Sequence, residues 1–113
     1  MCSYVKAVDR AAWLNFPGAV SHPIFDAQHT PIQGTSAMLN FFVSDTYPAP
    51  GVHEDNEGFY VISGEGKMMI GQEEYELSAG CAMLVPAGVP HAIKKVHAEH
   101  LQVFIYHFPK REE

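Results

Sequence analysis

Three side chains in this 113-residue chain have the types and spacing of a metal-binding set. His53 and Glu57 lie four residues apart in HEDNEGFYVIS, and His91 follows the turn sequence PAGVP. An imidazole, a carboxylate and a second imidazole, brought together from separate strands of one sheet, make a divalent-metal site with open coordination positions. Taken singly, each has a plainer reading: an exposed His and Glu in a loop, and an edge histidine satisfied by its own strand. His53 and Glu57 would share one face of a helix, but PAPG upstream and FYVIS downstream favour extended chain with a bend between them. The pair then points to one side from a strand entrance. PAGVP is a rigid turn that fixes where the next strand begins, and so where the side chain of His91 is aimed.

The elements that must position these residues are short and extended. Strands are expected over residues 37–44, 59–63, 67–70, 75–77, 81–85, 91–96 and 101–108, joined by SGEG, GQEE, SAG and PAGVP. Many short strands with Gly- or Pro-rich turns and no long helical period predict an all-β, antiparallel sandwich or barrel. Ahead of them, Asp9 followed by Arg10, Ala11, Ala12, Trp13 and Leu14 predicts a single helical turn near the N-terminus, ended by Pro17 and Gly18. Residues 19–34, punctuated by Pro23, Pro31 and Gly34, read as an arm of edge strands, because repeated proline cannot sit in a central ladder. The whole reads as one domain: an arm over 1–36, a barrel core over 37–108 and a charged tail over 109–113.

Composition limits the function classes. With 47% hydrophobic residues the chain can fill one core. The net charge of −6, with no basic cluster, argues against nucleic acid. No apolar run approaches the roughly 18 residues that span a bilayer, and MCSYVKAVDR has no signal-peptide core, so a cytoplasmic location without membrane contact is expected. Cys2, at a frayed terminus, and Cys81, in a predicted strand, make no disulfide framework; Cys81 reads as a small core residue.

The set as a whole resembles the cupin superfamily, small single-domain barrels of jelly-roll type. The family's second motif runs G, five residues, P, one residue, G, two residues, H, three residues, N. Gly80, Pro86, Gly88 and His91 keep every spacing, and Lys95 stands at the Asn position. In the first motif, counting back from Gly64, Glu57 and His53 fall on the glutamate and second histidine, whereas Gly51 occupies the first histidine's place and Asp45 the leading glycine's. The resemblance implies an antiparallel jelly roll with His53, Glu57 and His91 as metal ligands inside it. It implies a divalent transition metal, Fe, Mn, Ni or Zn, with other positions left to water or substrate. Asp55, His22, His29 and Gln33 are candidates for a fourth ligand, whereas His97, His100 and His107 are expected to serve surface or packing roles. Lys95 is a candidate for holding an anionic substrate.

For function, the resemblance and the donor set together imply a metal-dependent enzyme of oxygenase, isomerase or lyase type acting on a small oxygen-rich molecule. The alternative is a non-catalytic domain that binds or senses a small ligand. A metal-free use of the barrel, with His53 and His91 as base and orienter as in sugar-nucleotide epimerases, fits poorly, since Arg10 and Arg111 are the only arginines. The arm carries Trp13, Leu14, Phe16, Val20, Ile24, Phe25 and Ile32. Burying them at about 25 cal/mol per Å² against a second copy predicts a homodimer.

Overall fold

The computed structural model describes residues 3–97 and 99–110; Cys2 and the charged end at 111–113 lie outside the described residues. Among the described residues nine strands form: β1 (Leu14–Phe16), β2 (Ala19–Phe25), β3 (Ser36–Phe42), β4 (Asn56–Ser63), β5 (Glu65–Ile70), β6 (Glu73–Ser78), β7 (Ala82–Val85), β8 (His91–Lys95) and β9 (Leu101–Phe108). They make a six-stranded sheet in the order β1-β2-β3-β9-β4-β7 and a three-stranded sheet in the order β6-β5-β8, and neighbours in both are antiparallel. This is the expected all-β jelly roll. Alternate residues of a strand face opposite sides, so Phe59 and Val61 of β4 and Leu101, Val103 and Ile105 of β9 point inward together. They join Met68, Leu77 and Ile93 of the small sheet in one buried cluster.

Two expectations for the N-terminal part need correction. Asp9 does organise a turn, its Oδ1 accepting from Ala11 N at 3.0 Å and its carbonyl from Ala12 N at 3.1 Å, but no helix follows. One helical turn fixes several residues for a single bond, whereas Leu14–Phe16 gains a ladder with β2 across the Pro17–Gly18 turn. Gly18 takes φ 77° there, as a type II turn requires. The second correction concerns β2, which lies between β1 and β3 and so is an interior strand. Pro23 is tolerated because the register with β3 shifts between Pro23 and Phe25. The stretch before β1 lies on its own sheet: the His22 Nδ1–H donates to the Ala12 carbonyl at 2.9 Å, and the Arg10 guanidinium sits 5.3 Å from the Phe41 ring centre. Trp13, Leu14 and Phe16 remain about half exposed.

After β3 the chain runs alongside β8. The Lys95 amide donates to the Ser44 carbonyl at 2.9 Å, and Gly51 and His91 exchange backbone bonds at 2.8 and 3.0 Å. Cys81 is a free, half-buried thiol packed against the core just ahead of β7. Among the described residues no helix is long and apolar enough to cross a membrane.

Candidate metal centre

The two loops that carry the site are fastened to each other. Gly88 N donates to the His53 carbonyl at 2.9 Å, and the Asn56 side-chain oxygen accepts from Ala87 N at 2.9 Å. The PAGVP turn is thereby tied to the segment from His53 to Glu57, and β8 starts with His91 aimed inward. Glu57, near the start of β4, shares the inward face with Phe59 and Val61 and is 6% exposed. One donor atom from each of His53, Glu57 and His91 falls within 4.8 Å of the others. Glu57 Oε1 lies 2.8 Å from His91 Nε2 and 3.5 Å from His53 Nε2.

Electrostatics favour the charged forms of Glu57 and His91. Burial alone would raise the Glu57 pKa, but the rings of His107 and His91 outweigh it and bring the carboxyl down to about 2 from an ordinary 4.5. His91 shows the opposite balance: burial lowers its pKa, while Glu57 and the Val89 carbonyl more than compensate and raise it. Its Nδ1–H donates to Val89 O at 3.0 Å, which leaves Nε2 directed at Glu57. Despite these close approaches, the buried Oε1 of Glu57 accepts no well-aligned hydrogen bond. A cation fits that arrangement. Metal bonds of about 2.1 Å set at right angles place neighbouring donor atoms about 3 Å apart, and the 2.8 and 3.5 Å separations bracket that value.

The other sequence candidates divide clearly. His22 is bound to the Ala12 carbonyl on the outer face, His29 pairs with Asp26 at 2.9 Å in an exposed turn, and Gln33 is exposed. Lys95 is at the far end of β8, paired with Gly66 and about 13 Å along the strand from His91. It does not line the cleft at the cluster. Asp55 does come close, its Oδ1 lying 3.2 Å from His107 Nδ1.

His107, expected to have a surface or packing role, is instead part of the cluster. It sits directly across from Glu57 in the β4–β9 register, with Nε2 3.2 Å from Glu57 Oε2. Glu57 and, to a smaller degree, Asp55 raise its pKa against the effect of burial. The signal was present in the sequence: Leu101, Val103 and Ile105 form an inward row of period two, and His107 is its next member. A cleft of about 620 Å³ opens over the cluster, walled by Met38, Val52 and Pro109 and reaching His53, Asp55 and His107.

Residues 44–107 match the family model described as Cupin domain, and the chain belongs to that family. An uncharacterized protein of Streptomyces coelicolor, SCO3923, is 32% identical over 57 residues, which cover 50% of this chain and 53% of that protein. The chain thus spans about half the length of the curated relative it matches. Among solved structures, the plu4264 protein of Photorhabdus luminescens superposes with a TM-score of 0.79 at 14% identity, covering 96% of this chain and 89% of that one. Hydroxypropylphosphonic acid epoxidase of S. wedmorenis gives 0.70 at 18% identity, covering 92% and 63%; FeII HppE gives 0.66 at 18%, covering 92% and 64%. At these identities the structural likeness establishes the fold.

Proposed function

We propose that this protein is a metal-dependent enzyme that binds a divalent transition ion through His53, Glu57 and His91 and acts on a small oxygen-rich molecule entering from the cleft. The observation that carries this reading is the convergence of two imidazoles on a buried carboxylate oxygen that lacks an aligned hydrogen bond. A 2-His-1-carboxylate set with open positions suits a transition metal that acts as Lewis acid or oxygen activator. A similar fold in the Fe(II)-containing HppE agrees with that chemistry.

The chain's own groups have separable tasks. Glu57, ionised and buried, supplies the negative charge that a dication needs inside a hydrophobic barrel. The Val89 carbonyl fixes the tautomer of His91, so Nε2 keeps its lone pair toward the site. His53 is 43% exposed and borders the cleft, where an incoming hydroxyl or carbonyl oxygen meets the open side. Met38, Val52 and Pro109 supply apolar wall to the cleft, which leaves room for a small ligand.

Elemental analysis of protein purified without added metal tests the proposal, with about one transition ion per chain expected. A protein that arrives metal-free and takes up no added Fe(II), Mn(II), Ni(II) or Zn(II) would reject it in favour of a ligand-binding domain without turnover.

A further inference from the structure

We propose that His107 is a fourth protein ligand to this metal, supplying from β9 the imidazole that Gly51 does not provide. The inference rests on the metal site read above and extends it to a residue outside both family motifs. Glu57 and His107 face each other across the β4–β9 ladder, where inward side chains of paired residues are close neighbours. The ring centre of His107 lies 5.3 Å from that of His53, nearly matching the 5.2 Å between His53 and His91. His53 is therefore at nearly equal range from the two imidazoles, each of which also meets the carboxylate of Glu57.

The bonding of the two flanking rings is also alike. Metal-bound histidines characteristically donate the remote ring N–H to a carbonyl or carboxylate, which holds the ring and makes the other nitrogen the donor. His91 does so through Nδ1 to Val89 O at 3.0 Å, and His107 through Nδ1 to Asp55 Oδ1 at 3.2 Å. In both, Nε2 is left on the Glu57 side, at 2.8 Å from Oε1 for His91 and 3.2 Å from Oε2 for His107. His107 is also sheltered, its side chain 15% exposed. Its Nε2 meets the second carboxylate oxygen and is not among the three donor atoms that lie within 4.8 Å of one another, so a shared ion requires side chains of the cluster to turn. The terminal torsions of glutamate and histidine are both broad and soft, so turning the Glu57 carboxylate and the His107 ring together draws Nε2 toward the shared ion without moving the backbone.

Co(II) added to the full chain provides the test. In its proton NMR spectrum each imidazole bound through Nε2 contributes a hyperfine-shifted, exchangeable Nδ1–H signal. Relative to wild type, His107→Gln should lose one such signal, and Co(II) affinity, read by competition with a chromogenic chelator, should fall by more than the about 10–100-fold typical of a supporting residue. If the variant fails to fold, the wild-type spectrum still decides, because a bound His107 ring shows a nuclear Overhauser contact to Ser36, its partner across β3. Shifted signals that all persist in His107→Gln, or none with that contact in wild type, would overturn the inference and leave the three-residue site standing. A wild type that binds no Co(II) would overturn both.

Discussion

Acidification should stabilise the metal-free protein and weaken the metal-loaded one, and the same side chains cause both responses. Without metal, the Glu57 carboxylate is faced by His91, His107 and His53 at 2.8, 3.2 and 3.5 Å. The pKa values of His91 and His107 are held above the ordinary 6.5. A base with a raised folded pKa contributes stability that is complete below its unfolded pKa and vanishes as pH climbs through the folded one. Glu57 works in the other direction: its carboxyl, lowered from 4.5 to about 2, contributes above about 4.5 and loses that contribution only as pH falls toward 2. The cluster's contribution to the metal-free chain is therefore greatest between about pH 4.5 and 6.5 and is lost as pH rises above that window.

Metal loading needs the lone pairs of the same rings, so each ring that is protonated beforehand lowers apparent affinity by about tenfold per pH unit. With the ion at about 100 times its Kd the loaded form gains about 2.7 kcal/mol, of which a tenfold weakening removes about 1.4 kcal/mol. Scanning calorimetry of chelator-treated and Zn(II)-loaded protein at about pH 6 and about pH 8 reads both effects. The metal-free Tm should be higher at the lower pH, and the increment from Zn(II) larger at the higher pH. A metal-free Tm that rises with pH would refute the charge pairing of these rings with Glu57, and an increment that does not change would refute ligation by these imidazoles.

Further predictions address the ligands, the fold and assembly. His91→Ala should lose stoichiometric metal by elemental analysis, and full retention would reject the assignment. Gly51→His should tighten binding in a chelator competition, since a Cβ at Gly51 points to within 3.4 Å of His53 Nε2 and the residue does not adopt positive φ; unchanged affinity would show that its side chain cannot reach the ion. Gly58→Ala should lower the thermal midpoint at a cost of about 1–3 kcal/mol, because the added methyl collides with the Tyr106 ring lying across it from β9, whereas an unchanged melt would mean that the ring swings clear. Half-exposed Trp13, Leu14 and Phe16 beside the open edge of β1 predict a dimer in sedimentation at micromolar concentration, and a monomer there would reject it. Deleting residues 1–34 should give an aggregating protein, since it removes β1 and β2 and bares the edge of β3.

The barrel and three converging donors were legible because they depend on local rules. Turn residues at fixed offsets place Gly80, Pro86 and Gly88, and these fix where β8 begins and how His91 enters. The features that were not legible depended on partners distant in sequence. Pro23 looks incompatible with an interior strand until the register shift against β3 accommodates it, and Asp9 starts a turn whose continuation is decided by the pairing of Leu14–Phe16 with β2. His107 marks the boundary between these cases. Its inward direction follows from the period-two row of Leu101, Val103 and Ile105, but its position opposite Glu57 follows only from the pairing of β9 with β4. A histidine that continues an apolar row has little water to satisfy it and favours a polar partner inside. For that reason the departure at Gly51 and the presence of His107 belong to one question: whether the imidazole missing from the edge segment beside β8 is supplied from β9, on the other side of the same carboxylate.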